Sequence, residues 1–138
     1  MASTASDERS LSILVADDEQ AIRTLLVHWL ERAGHRVTAA ETGAVAVLLL
    51  EGQRFDLLIT DVVMPEGDGL ELIGAFRKAQ PSAHILAISG GGRYLPREDC
   101  LKIARSLGAH AVVMKPFNWG QLQAGIDLAI PPLHSPTN

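Results

Sequence analysis

The stretch Ser12-Ile13-Leu14-Val15-Ala16-Asp17-Asp18 runs five mostly apolar residues straight into a pair of carboxylates. A short, partly β-branched apolar run without polar alternation is the signature of a strand buried on both faces, as in a parallel sheet covered by helices. The same arrangement recurs three times. Residues 56–60 (DLLIT) lead into Asp61, residues 84–88 (HILAI) into Ser89, and residues 111–114 (AVVM) into Lys115 and Pro116. In an open parallel sheet the carboxyl ends of the strands meet in one crevice, where ligands bind. Asp17, Asp18, Asp61, Ser89 and Lys115 are therefore expected to converge.

The segments between these runs carry helical spacing. Ile22, Leu25, Leu26, Trp29, Leu30 and Ala33 form an apolar stripe, and Gly34 supplies the stop. Residues 35–39 read as a second strand and 42–52 as a second helix. A third helix covers 69–79, ended by Pro81. Cys100, Ile103, Ala104 and Leu107 stripe a fourth, and Trp119, Leu122, Ile126 and Ala129 a fifth. Five strands alternating with five helices predict an α/β fold with a parallel sheet helix-covered on both faces.

Composition bounds the possibilities. The 138 residues suit one domain, and 47% hydrophobic with 20% charged residues is ordinary for a soluble globular chain. A net charge of −4 offers no basic footprint for nucleic acid. The lone cysteine, Cys100, fits a reducing cytosol, so a cytoplasmic location is expected. The N-terminus MASTASDERS has neither the charge nor the apolar core of a signal peptide. The longest apolar run, residues 44–50, falls far short of the roughly 20 residues of a membrane span. Residues 1–10 and the proline-rich 131–138 read as flexible tails flanking a unit over 11–130.

Three carboxylates in one crevice repel: two unit charges about 4 Å apart cost roughly 4 kcal/mol at an effective dielectric of about 20. A divalent cation relieves that cost, and an all-oxygen set with open water positions favours Mg2+. For the Asp17-Asp18 pair alone, helix capping is the plainer reading; Asp61 and Lys115 at matching strand ends turn it toward metal. Asp61 is the candidate nucleophile, since a carboxylate can form an aspartyl phosphate. Phosphoryl transfer asks mainly for positioning and charge neutralisation. Lys115 supplies a second positive charge and Ser89 a hydroxyl donor. The Lys115–Pro116 bond is a candidate for the cis form.

At this point the residues resemble a family. VADDE, LLITDVVMPEGDGLEL, ILAISG and VVMKPF together are similar to the receiver domain of bacterial two-component response regulators, over residues 11–130. The resemblance implies a flavodoxin-like, doubly wound sheet of strand order 2-1-3-4-5. It implies that Asp61 accepts a phosphoryl group from a histidine kinase or histidine phosphotransfer protein. It implies Mg2+ held by Asp17, Asp18, Asp61 and the backbone carbonyl of Val63, with Ser89 and Lys115 contacting the phosphoryl group. With no output domain after residue 130, a stand-alone phosphorelay regulator acting by binding a downstream protein is expected.

Some positions depart from the family's commonest pattern. Val112 stands where a Tyr or Phe usually precedes the lysine by three residues, with Tyr94 a candidate substitute. The segment GGGRYLPREDC is long, and its three glycines predict a loop that changes conformation on phosphorylation. In the second helix Ala46, Leu49 and Leu50 fall inward, so Val45 and Leu48 point outward, a candidate partner or homodimer surface. Trp29 and Trp119 fit core stripes, no histidines pair at zinc-ligand spacing, and His110 is a candidate partner contact by analogy.

Three other readings compete: a degenerate receiver that binds partners without phosphate, an aspartate-nucleophile phosphatase, and a flavin-binding relative of the same architecture. Phosphatases of that type carry a second acid two residues after the nucleophile, where this chain has Val63. The acids of the crevice would repel a flavin phosphate. Val63 and Gly91 also occupy positions that tune phosphate lifetime in the family, and neither can orient a water. Slow hydrolysis of the aspartyl phosphate is therefore expected; a half-life of only seconds in a released-phosphate assay would overturn this.

Overall fold

The computed structural model describes residues 10–62, 68–90 and 97–130. The elements follow in the order β1 (Ser12–Ala16), α1 (Gln20–Arg32), β2 (Arg36–Ala40), α2 (Gly43–Gly52), β3 (Leu57–Asp61), α3 (Asp68–Ala79), β4 (His84–Ser89), α4 (Arg97–Ser106), β5 (Ala111–Met114) and α5 (Trp119–Ala129). All strands are parallel, in the order β2-β1-β3-β4-β5 that the family resemblance implies.

Alternation along the buried strands sorts the core into two layers. Ile13, Val15, Leu57, Ile59, Leu86, Ile88 and Val113 face α1 and α5, where Leu26, Leu30, Leu122 and Ile126 meet them. Leu14, Ala16, Leu58 and Ile85 face the other way, against Ala46 and Leu50 of α2 and Leu72, Ile73 and Phe76 of α3. Trp29 and Trp119 pack on the first layer, edge to face at 5.9 Å, so they serve the core as expected. Among the described residues no helix is long and apolar enough to cross a membrane.

Three strands differ by one residue from the sequence expectation: β4 runs on through Ser89, and β2 and β3 each begin and end one residue later, their starts set by visible hydrogen bonds. His35 lies before β2, with its Nδ1 accepting the Leu11 N–H at 3.1 Å, and pairing begins at Arg36. Asp56 likewise lies before β3: its carboxylate accepts the Ser12 N–H at 2.8 Å, tying β1 and β3 together at their amino ends. The third strand instead extends through Asp61, which pairs with Ile88. Gly34 ends α1 at φ +99°, with the His35 N–H reaching back to the Leu30 carbonyl at 3.1 Å, a conformation glycine adopts without Cβ penalty. Thr42 caps α2 by accepting the Val45 N–H, and Asn118 with Gln121 forms a capping box on α5.

Residues 1–9, 63–67, 91–96 and 131–138, and with them Val63, Gly91 and Tyr94, lie outside the described residues, so the expectations placed on them are not addressed by the structure. The outward placement of Val45 and Leu48 holds: they are 39% and 66% exposed, whereas Ala46 and Leu50 are buried. On β5, Val112 is half-buried against a small third cluster of Val62, Ala87 and Ala104.

Two glycines of α3 allow a paired test of packing. A Cβ on Gly69 would collide with the backbone of Asp61 and Val62, while a Cβ on Gly74 would meet nothing within 4 Å. Gly69→Ala is expected to cost about 1–3 kcal/mol through overpacking. Gly74→Ala, in a helix interior, is expected to stabilise by roughly 0.5–1 kcal/mol. Urea unfolding of the two variants checks both the magnitudes and the opposite signs.

Candidate functional site

Four strand ends build the site. Asp17 follows β1, Asp61 closes β3, Ser89 closes β4 and Lys115 follows β5. Asp17, Asp61 and Ser89 are buried. Backbone pairing fixes their relative height: the Val62 N–H donates to the Ile88 carbonyl at 2.9 Å and the Lys115 N–H to the Ser89 carbonyl at 2.8 Å. The Lys115–Pro116 peptide is cis, as the sequence suggested.

The ammonium of Lys115 is the centre of the charge arrangement. It lies 3.1 Å from Asp17 Oδ2, 2.6 Å from Glu19 Oε1 and 3.0 Å from Asp61 Oδ2. One formal positive charge against three negative charges leaves −2. Ligand atoms of Asp17, Glu19 and Asp61 all fall within 4.8 Å of one another, a cluster that can hold a metal ion. Asp17 Oδ2 is buried, and the Lys115 ammonium it faces at 3.1 Å is shared with two other carboxylates, so the cluster can take a further cation. Hard, all-oxygen donors of this kind suit a divalent cation such as Mg2+ or Ca2+.

Asp17 does not cap α1 through its side chain. Its Oδ1 accepts the Glu19 N–H at 2.8 Å, which folds the turn between β1 and α1 and leaves Oδ2 aimed at the cluster. Asp18 is exposed and stands outside the three-acid group. Glu19 takes the place beside Lys115 instead. In the sequence Glu19 stands only as the third acid of VADDE, without a role. Arg23 was not anticipated either: its Nη1 donates to the Asp17 carbonyl at 2.8 Å and braces the same turn. The expected convergence thus holds for Asp17, Asp61 and Lys115, with Ser89 on the neighbouring strand end; Val63 is not among the described residues.

The titration of these groups follows from burial and charge. Desolvation of the ionised form pushes Asp17 above the ordinary carboxylate range, against the opposing pull of the Glu19 N–H and Lys115. Burial alone would lower Lys115. Its hydrogen bonds to Glu19 and Asp61, with the charges of Asp61 and Asp17, outweigh burial and hold it above the ordinary lysine range. The ammonium therefore stays charged at neutral pH.

A doubly wound sheet with carboxylates and an ammonium at its carboxyl edge defines a class of phosphoryl- and metal-handling α/β domains. Comparison then fixes the family: residues 13–127 match the response regulator receiver domain, and the chain belongs to that family. It is 44% identical over 108 residues to the response regulator receiver protein CpdR of Brucella abortus (strain 2308), covering 77% of this chain and 85% of that protein. It is 38% identical over 122 residues to the DNA-binding transcriptional regulator NtrC of Azospirillum brasilense, covering 86% of this chain but spanning 24% of that longer protein. Among solved structures, the chemotaxis response regulator CheY4 of Vibrio cholerae superposes with a TM-score of 0.78 at 27% identity, covering 88% of this chain and all of that one.

The raised titration of Asp17 gives a linkage with a definite sign. A carboxyl titrating higher in the folded protein contributes stability below the ordinary carboxylate range, and that contribution is lost as pH rises through the raised folded value. At neutral pH the metal-free protein therefore holds an unfavourable ionised Asp17, which a cation relieves. At tenfold excess over Kd, magnesium or calcium chloride is expected to stabilise the fold by about 1.4 kcal/mol. The thermal shift should shrink as the medium is acidified into the carboxylate range. It should be largely absent in Asp17→Asn, which without metal should be no less stable than wild type at neutral pH. A shift that survives in Asp17→Asn would place the cation elsewhere.

Proposed function

We propose that this chain is a phosphorylation-switched signalling domain whose acceptor is Asp61. The observation that carries the reading is the placing of Asp61: buried at the end of β3, beside the other acids and 3.0 Å from the Lys115 ammonium. A carboxylate oxygen of Asp61 attacks the phosphorus of a phosphohistidine on a histidine kinase or phosphotransfer protein. The P–N bond breaks, the electron pair leaves with the imidazole nitrogen, which takes up a proton, and an acyl phosphate remains on Asp61. Lys115 neutralises charge on the phosphoryl oxygens, and Ser89 donates a hydrogen bond to one of them.

Mg2+ suits this all-oxygen set better than a softer ion: Asp17 and Asp61 of the observed cluster would hold it, and the family resemblance adds Asp18, which stands outside that cluster here, and the Val63 carbonyl. A divalent cation held there would supply positive charge to neutralise phosphoryl oxygens beside that of Lys115. The chain assists only its own phosphorylation and dephosphorylation; its output is altered binding of a downstream protein, in the cytoplasm. The receiver unit runs over 11–130. The exposed Val45 and Leu48 of α2 add an apolar surface available to a partner or a second copy.

Incubation with acetyl phosphate and Mg2+, followed by intact mass measurement, tests the reading. Wild type is expected to gain one phosphoryl group and Asp61→Asn none. No gain in wild type would favour a phosphorylation-independent interaction module, and release of phosphate with turnover would favour a phosphatase.

A further inference from the structure

We infer that Glu19 is a positioning residue that latches the Lys115 ammonium in the resting protein and so slows phosphoryl transfer to Asp61. The inference rests on the function just proposed and adds a control element to it. Of the three carboxylates around Lys115, Glu19 makes the shortest contact, 2.6 Å, against 3.0 Å for Asp61 and 3.1 Å for Asp17. The three partners differ in setting. The Asp17 side chain is fully buried and that of Asp61 6% exposed, while the Glu19 side chain is 58% exposed and that of Lys115 15%. Glu19 therefore pulls the ammonium toward the mouth of the crevice, and the two buried acids pull it inward.

Glu19 is also placed to do this reliably. Its backbone N–H is held by Asp17 Oδ1 at 2.8 Å, and its carbonyl accepts the Arg23 N–H at 3.0 Å as α1 begins. The side chain caps nothing at the helix start, so its carboxylate is committed to Lys115. When a phosphoryl donor enters, Lys115 must exchange a carboxylate partner for phosphoryl oxygens. An exposed carboxylate at 2.6 Å competes for the same ammonium. Asp17 and Asp61 cannot be the adjustable partners, because one is wanted for the cation and the other is the nucleophile. The adjustable partner is Glu19.

The test uses acetyl phosphate at saturating Mg2+, so that changes in cation affinity drop out. Asp61 attacks the phosphorus, the P–O bond to the acetyl group breaks, and acetate leaves with the electron pair. Glu19→Gln is expected to raise the phosphorylation rate constant about two- to fivefold, the range an exposed ion pair supports. Glu19→Asp keeps the charge but is one methylene too short to hold the ammonium; it should be accelerated like Glu19→Gln. In a Lys115→Met background, followed over longer times, Glu19→Gln should give no acceleration. A Glu19→Asp rate equal to wild type would show charge repulsion rather than a latch, and so would acceleration that persists without Lys115. A slower Glu19→Gln, with its thermal unfolding unchanged, would overturn the latch outright. Wild type that takes no phosphoryl group on Asp61 would instead sink the functional reading on which the latch rests.

Discussion

Three carboxylates share one ammonium at the carboxyl edge of this sheet, and the site depends on that imbalance. Lys115 is close enough to Asp17, Glu19 and Asp61 to neutralise any one of them, and cannot neutralise all three. Folding the strand ends together therefore leaves excess negative charge in a partly dry crevice. Such charge is costly unless a cation or proton answers it. The raised titration of Asp17 and the single ammonium that its Oδ2 must share are two expressions of the same deficit. A site built this way responds strongly to whatever positive or phosphoryl charge enters, because the resting state has not settled its own electrostatics.

The fold supplies the rigidity that this imbalance requires. Each reactive side chain sits on or just beyond a strand whose two faces are packed by helices, so its backbone position is fixed by the sheet register. Asp56 and His35 tie the chain down at the opposite end with side-chain-to-backbone bonds. Repulsion among the acids is thus resisted by a ladder of hydrogen bonds and two apolar layers rather than relieved by spreading the strands. The exposed groups, Glu19 above all, are the ones left free to adjust.

The apolar runs and helical stripes made the architecture legible. Unbroken runs such as ILVA and LLIT leave few alternatives to buried parallel strands, and the side chains that follow them had to share an edge. Convergence of Asp17, Asp61 and Lys115 was legible for the same reason. The part played by Glu19 was not, because it depends on the turn after β1. In VADDE the three acids are equivalent as sequence; a bond from the Glu19 N–H to Asp17 Oδ1 decides that Glu19 rather than Asp18 reaches Lys115. The strand limits at Asp56 and His35 were hidden similarly, since there a polar side chain substitutes for a ladder partner. The consequence of Val112 became concrete only with its neighbours: it packs among Val62, Ala87 and Ala104, a layer of small side chains where an aromatic ring would need room.

The contact of Gly69 with the backbone of Asp61 and Val62 has a mechanical meaning. Elsewhere in the core, helices meet the sheet through side chains, whose rotamers can absorb a few tenths of an ångström. At Gly69 main chain rests against main chain with no such cushion. The first turn of α3 and the end of β3 therefore meet without room for a side chain between them, so a displacement of the Asp61 backbone bears directly on that helix. The glycine serves here as a rigid coupling between the site of chemistry and the protein surface, not as a point of flexibility.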